Sequence, residues 1–218
     1  MKRKLDNIRF APEIEVEFPK HKDSQKLINR HRIITGWEID IENSLENGAE
    51  YRPKDRNKLY FNEDSLDQIK EIIGLIKAHH GNIKPSCGLH IHIDMSSFTD
   101  KEIAMIIKAF IKHQDYLYKE FKVLKGRLDD MAHPIPTTET KNITEQNMKQ
   151  VRLGKSNSSS EYLSQRFFAL NIQSLNKHNT LEFRLFNGTI QYSRIKAYVK
   201  WAIQFCLDYT QDKRKRRK

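Results

Sequence analysis

Three segments of the chain alternate hydrophobic and polar residues with the period of two that is typical of a β-strand. They are residues 13–18 (EIEVEF), 89–94 (LHIHID) and 181–186 (LEFRLF). Each segment has an apolar face suited to a core and an opposite face of Glu, His, Asp or Arg. Acidic residues are depleted in strands, and like charges about 7 Å apart on one face repel by roughly 2 kcal/mol at an effective dielectric constant of about 20. Bound cations are the simplest way to offset this repulsion.

Apolar residues at helical spacing predict three longer helices. Residues 64–79 place Leu or Ile at every third or fourth position. The sequence TDKE at 99–102 is a capping box, and it begins a second helix that has a long apolar side. Residues 190–210 form the third predicted helix.

Shorter apolar segments predict the remaining strands. The strands are expected at residues 12–18, 32–42, 48–52, 166–175 and 180–187, the last two as an antiparallel hairpin. Paired strands and segregated helices predict an α+β fold, in which a largely antiparallel sheet has helices packed on one face.

The segment 126–160 contains few apolar residues. It holds Pro134, Pro136 and the run SNSSS at 156–160. We interpret the segment as a partly ordered polar excursion or a mobile loop.

Composition and charge fit one soluble domain with basic ends. The chain has 218 residues, of which 38% are hydrophobic and 31% charged, and its formal net charge is +11. We expect a basic arm (1–9), a single catalytic domain (10–210) and a basic tail (211–218). The tail is either a solvated terminus or a contact for a polyanion such as nucleic acid. No stretch approaches the roughly 18 apolar residues of a membrane span, and two distant cysteines without a paired motif fit the reducing cytoplasm.

The polar strand faces carry the candidate chemistry. His90 and His92 share one face, where two imidazoles either ligate a metal or make ordinary surface hydrogen bonds. The other polar positions are Glu13, Glu15, Glu17, Glu50, Arg166, Glu182 and Arg184. Each of these alone is explained by a solvated acid, an ion pair or a strand cap, whereas one shared active-site face explains them together. Because carboxylates are in the majority, Mg²⁺ or Mn²⁺ is favoured over zinc. No phosphate-binding glycine loop, nucleophile elbow or HExxH motif is present.

The order of these motifs resembles the amidoligase family, small carboxylate–amine ligases of bacteria and phages with a glutamine-synthetase-like catalytic fold. The matching motifs are EVEF at 15–18, the Trp segment at 37–44, GAE at 48–50, GLHIH at 88–92, an Arg strand ending in LN at 166–171, and TLEFRLFNGT at 180–189. Two features depart from the family pattern. Glu13 has no family role, and the residues that follow Glu50 differ.

The resemblance implies an ATP-dependent ligase that uses Mg²⁺ or Mn²⁺ and joins a carboxylate to an amine through an acyl phosphate. The implied metal ligands are Glu15, Glu17, Glu50, His90 and Glu182. The implied contacts to ATP or to the activated carboxylate are His92, Arg166, Asn171 and Arg184, with catalytic roles for Arg184, Arg166 and Glu50. The segment 126–160 would be a lid that excludes water from the acyl phosphate.

Two other functions stay open on the sequence alone. The polar face suits the metal site of a nuclease in a basic, nucleic-acid-associated protein. A catalytically inactive scaffold of the same fold is the other alternative. The sequence does not identify the amine or the carboxylate, either of which could be carried on a polymer or peptide.

Overall fold

A seven-stranded sheet is the framework of the protein. The computed structural model describes residues 3–19, 24–42, 44–54, 59–155 and 160–210. The strands are β1 (Arg9–Glu17), β2 (Glu38–Glu42), β3 (Gly48–Arg52), β4 (Leu59–Tyr60), β5 (Gly88–Asp94), β6 (Leu170–Asn171) and β7 (Thr180–Asn187). They lie in the order β2-β3-β1-β5-β7-β6, with β4 paired to β1, and every pairing is antiparallel. The predicted α+β class and largely antiparallel sheet are confirmed.

Helices connect the strands and cover the sheet. Within the described residues, the α-helices are α1 (Ser24–Thr35), α2 (Glu63–Ala78), α3 (Asp100–Glu120), α4 (Lys125–Asp130), α5 (Glu145–Arg152), α6 (Glu161–Ser164), α7 (Ser174–His178) and α8 (Tyr192–Thr210). Short 3-10 helices lie at Leu5–Asn7 and Thr137–Asn142. The predicted capping box begins α3, with Thr99 and Glu102 each bonding the other's backbone.

The apolar face of the sheet packs against α2, α3 and α8 to form the core. Phe183 of β7 lies edge-on to Phe110 of α3 and to Phe205 of α8, with ring centroids 6.0 and 6.1 Å apart. Strand side chains alternate between faces, so burial of these apolar residues directs the acidic and imidazole side chains to the opposite face.

The predicted strand at 32–42 is wrong over its first six residues. Residues 32–35 end helix α1, and β2 begins at Glu38. Ile33 and Ile34 suggested a strand, but they lie on the outer side of the helix and are 85% and 59% exposed. Gly36 follows the helix with φ of 67°, a left-handed conformation that favours glycine.

The predicted strand at 166–175 is also mostly wrong. Only Leu170–Asn171 pairs with β7, and the chain then forms α7. The Oδ1 atom of Asn171 accepts a hydrogen bond from the backbone N–H of Gln173 at 2.9 Å, which turns the chain away from the sheet. Asn179, with φ of 52°, ends α7 before β7 begins.

The segment 126–160 contains more regular structure than the second of its two predicted descriptions, a mobile loop, would have. Its described part contains the end of α4, a 3-10 helix and α5, which packs on α3. Ile135 is buried, and its backbone N–H and C=O both bond the side chain of Gln114 on α3, at 2.9 and 2.7 Å. The apolar residues here are few but most of them are buried, which the polar composition of the segment does not show. Residues 156–159, in the serine-rich run, lie outside the described residues.

The basic ends of the chain are only partly described. Arg3 in the N-terminal arm pairs with Glu102 at 2.7 Å. The tail 211–218 lies outside the described residues, as do Met1 and Lys2. Among the helices that are described, none has the length and hydropathy to cross a membrane.

Candidate active site

Strand register brings the polar faces of β1, β5 and β7 together. Glu13 of β1 lies opposite His90 of β5, and His92 lies opposite Glu182 of β7. Directly opposed residues on one face have Cβ atoms about 5 Å apart. The separate alternating patterns of the sequence therefore form one continuous polar cluster.

This cluster forms the floor of a cleft of about 180 Å³. One wall is acidic and comes from β2 and β3, while the opposite side, around α7, carries basic and amide side chains. The lining residues are Glu13, Glu15, Glu42, Glu50, His90, Met131, Arg166, Asn171, Gln173, Ser174, Lys177, His178, Glu182 and Arg184.

Glu13 lies at the centre of the cluster. Its two carboxylate oxygens are 3.3 Å from Nδ1 of His90 and 3.1 Å from Nε2 of His92. Burial by itself would raise the pKa of Glu13, but the two imidazoles hold it well below its ordinary value. Glu13 is thus a buried carboxylate kept in its charged form.

Glu182 is buried and held by several donors. Arg184 donates to Oε1 at 2.6 Å, and Asn171 and Ser174 donate to Oε2 at 2.6 and 2.9 Å. Burial opposes ionisation, but the charges of His92 and Arg184 lower the pKa of Glu182 to about 2. These contacts fix the direction in which the carboxylate points.

A second acidic group lies on the wall formed by β1, β2 and β3. Glu15 is opposite Glu50 in the ladder, and Glu42 of β2 stands beside them. Burial and the charge of Glu13 raise the pKa of Glu50 to about 7, although Arg52 opposes the shift. Arg52 donates to Glu50 at 2.7 Å and also pairs with two further acids of β2, which positions the wall.

The donor atoms of these groups fit divalent cations. Glu13, His92 and Glu182 each offer a ligand atom within 4.8 Å of the others, and Glu15, Glu42 and Glu50 do the same. Five of these six residues are carboxylates, the donor type that Mg²⁺ and Mn²⁺ prefer. Buried acids of like charge also gain most from a neutralising cation.

The cleft collects most of the predicted site residues. Those that line it are Glu15, Glu50, His90, Arg166, Asn171, Glu182 and Arg184. Asn171 was predicted to contact ATP, but its side-chain NH₂ donates to Glu182 and Ser174, so it orients Glu182.

Two predicted residues, Glu17 and His92, do not line the cleft. Strand β5 begins at Gly88, so Glu17 extends past it, with its carboxylate 3.9 Å from Nζ of Lys84. His92 is 1% exposed and lies behind Glu13, where its Nδ1 bonds Thr180 at 2.8 Å. The predicted contact of His92 with an ATP phosphate stays a prediction.

Several residues in the cleft or directly behind it had no predicted role. The alternation of β1 singled out Glu13, but nothing assigned it a contact. Glu42 and Arg52 lie on predicted strands, but nothing in the sequence distinguished them from ordinary charged surface residues. Arg127, from the polar segment, lies buried against His90 and was not expected at all.

Comparison with known proteins connects this cleft to a family. A family model described as "Putative amidoligase enzyme" matches residues 57–206, more than half of the chain. The matched region contains β5, β6 and β7, and hence His90, Glu182 and Arg184, while the acids of β1, β2 and β3 precede it. No curated protein matches the chain.

Proposed function

The chain belongs to the amidoligase family, and from this membership we propose that it is an ATP-dependent ligase that joins a carboxylate to an amine. The proposal includes the glutamine-synthetase-like arrangement of the catalytic sheet and a cytoplasmic location, where ATP is abundant.

The observation that carries the proposal is the convergence of a buried acidic group, a partly buried acidic group and a guanidinium in one cleft. Glu13 and Glu182 form one group with His92, and Glu15 and Glu50 belong to the other. Arg184 lines the same cleft and donates to Glu182. A site built for binding a neutral ligand would not bury so many carboxylates, because each costs free energy unless it is paired.

The proposed cation ligands differ from the set that the family resemblance implies. We assign Glu13, His92 and Glu182 to one cation, and Glu15, Glu42 and Glu50 to the other, with His90 between them. When bound, Mg²⁺ or Mn²⁺ would neutralise phosphate charge and polarise the transferring group.

The reaction proceeds in two displacements. A carboxylate oxygen of the first substrate attacks the γ-phosphorus of ATP, which forms an acyl phosphate and releases ADP. The amine nitrogen then attacks the acyl carbon, the bond from carbon to the phosphate oxygen breaks, and phosphate leaves as the nitrogen loses a proton to solvent. Positioning and charge stabilisation supply most of the catalysis in such phosphoryl transfers.

The basic side of the cleft suits the substrates. Arg184 uses Nη1 for Glu182 and Nε for the backbone C=O of Met131, which leaves Nη2 for a phosphoryl oxygen. Arg166 and Lys177 are exposed at the mouth, where they suit a nucleotide phosphate or the carboxylate substrate. His92 serves as a cation ligand in this scheme, beside Glu13 and Glu182.

The substrates are proposed by class only. They are a carboxylate and a primary amine, either of which could be carried on a peptide or polymer, and the basic tail would favour a polyanionic carrier. In this proposal the tail contributes only its positive charge.

Release of ADP and phosphate tests the proposal. Purified protein is incubated with ATP, Mg²⁺ and mixed pools of carboxylates and amines. Release is expected to require both pools and to fall at least about 10²-fold in Glu182→Gln and Arg184→Gln. Glu71→Gln, an exposed position on α2, is the matched control and keeps full activity. Metal-dependent cleavage of DNA or RNA, without any release of ADP, would contradict the ligase function and indicate a nuclease.

A further inference from the structure

Arg127 is a buried guanidinium that the proposed reaction has not used. It lies on the short helix α4 and is 2% exposed. An arginine side chain stays charged at ordinary pH, and burial of a charge is unfavourable without specific partners. A packing role alone would be served better by an apolar side chain, so its partners indicate its role.

The partners of Arg127 are all parts of the cleft. Its Nη2 donates to the backbone C=O of Arg184 at 2.9 Å and lies 3.5 Å from Nε2 of His90. The carboxylate of Glu15 is near enough to interact electrostatically with it. One side chain thus contacts β5 and β7 at the residues that carry the chemistry.

Gly88, at the start of the GLHIH motif, is explained by this guanidinium. A Cβ atom on Gly88 would lie 2.6 Å from Nη2 and 2.7 Å from Nη1 of Arg127, and 2.9 Å from Nε2 of His90. Such distances are far inside van der Waals contact. The glycine is required for space beside Arg127, since its backbone φ is not in the left-handed region.

A β-bulge explains why Arg184 offers its carbonyl. In the β5–β7 ladder Leu89 pairs with Phe186, but Ile91 pairs with Phe183, so the register shifts opposite His90. Bulges of this kind re-aim side chains next to active sites and leave backbone groups without ladder partners. Arg127 supplies a donor to the backbone at this irregularity, where the side chain of Arg184 turns towards Glu182.

We propose that Arg127 is a positioning residue, which locks the bulge of β7 against β5 and so fixes Arg184 and His90 relative to Glu15. The expected effect of Arg127 on turnover rests on the proposed ligase function. The expected effect of Arg127 on packing does not depend on that function. Arg127→Lys keeps the charge but loses the planar fork.

Steady-state kinetics tests the positioning role. Arg127→Lys is expected to lower kcat about 10²-fold, because a displacement of about 1 Å costs that much, while KM for ATP changes less than about threefold. Arg152→Lys is the matched control, since Arg152 also donates to backbone carbonyls, those of Met95 and Phe98, but these residues do not line the cleft as His90 and Arg184 do. Unchanged kcat in a folded Arg127→Lys variant would overturn the proposal.

A double-mutant cycle tests the spatial claim without any turnover. Gly88→Ala is expected to lower the thermal midpoint of the otherwise unchanged protein by several degrees, and to lower it much less in the Arg127→Ala background. Equal shifts in the two backgrounds would show that the guanidinium does not occupy the space beside Gly88, and would overturn the proposal. If the protein turns over no ATP at all, the ligase function fails, while the cycle still decides whether Arg127 packs as described.

Discussion

Glu50→Gln should stabilise the protein in the absence of cations. Burial and the charge of Glu13 raise the pKa of Glu50 from 4.5 to about 7. Glutamine is nearly the same shape as the protonated carboxyl and keeps the Oε1 acceptor that Arg52 uses. The variant therefore removes an unfavourable charge and little else.

The magnitude and its pH dependence follow from that shift. Below pH 4.5 the carboxyl is protonated in both the folded and the unfolded chain, so Glu50 does not affect stability. Between about pH 4.5 and 7 the unfolded chain releases the proton while the folded chain retains it, and folding becomes progressively less favourable. Above pH 7 the full penalty applies, and it amounts to about 3 kcal/mol at 1.36 kcal/mol for each pKa unit.

Denaturant unfolding in the presence of a chelator measures this effect. At pH 8, Glu50→Gln should raise the free energy of unfolding by up to about 3 kcal/mol relative to the natural sequence, and by almost nothing at pH 4.5. The exposed Glu71→Gln should change stability by less than about 0.5 kcal/mol at either pH. Adding Mn²⁺ at pH 8 should stabilise the natural protein more than the variant. Destabilisation by Glu50→Gln at pH 8 would refute the reasoning, because the carboxylate would then be favourably paired without a cation.

Three further predictions test the site and the core. Glu13→Gln should lower turnover at least about 10- to 100-fold, while Glu17→Gln should leave it within about threefold. An equal loss of turnover in the two variants would contradict the assignment of Glu13, and not Glu17, to the site. His31 is buried, and burial together with the charge of His79 lowers its pKa from 6.5 to about 4. The unfolded chain therefore binds a proton at His31 before the folded chain does, and the urea concentration at the unfolding midpoint should decrease as the pH is lowered from 6.5 to 4. In His31→Gln this fall should be smaller, and an identical pH profile would contradict the assignment. Phe110→Ala should lower the free energy of unfolding by about 3–5 kcal/mol, because it opens a cavity in the core, and a loss below about 1 kcal/mol would mean that the core collapses into the space.

The sequence predicted the polar face well, because alternation is a local property. The period of two fixes which side chains share a face, and so Glu13, Glu15 and Glu17 were correctly grouped. Which of the three enter the cleft depends on where the neighbouring strands begin and end. The pairing of β1 with β5 ends at Ile14 and Leu89, so Glu17 falls outside, and no local pattern in the sequence carries that information.

Residues outside the strands were harder to foresee. Ile33 and Ile34 resemble a strand, yet contacts of Ile28 and His31 with the core hold that segment in a helix, as tertiary packing overrides propensity. Arg127 lies in a polar segment among other charged residues. Its burial depends on the bulge in β7 and on the space beside Gly88, neither of which is visible before the strands are paired.

Oxygen-isotope transfer tests the central claim most directly. A pool of carboxylates labelled with ¹⁸O is incubated with the protein, ATP, Mg²⁺ and an amine pool, and the phosphate released is analysed by mass spectrometry. An acyl phosphate intermediate moves one carboxylate oxygen into the phosphate, so the account predicts labelled phosphate that appears in step with an amide product and disappears in Arg184→Gln. Unlabelled phosphate with amide formation, or release of AMP and pyrophosphate, would contradict it.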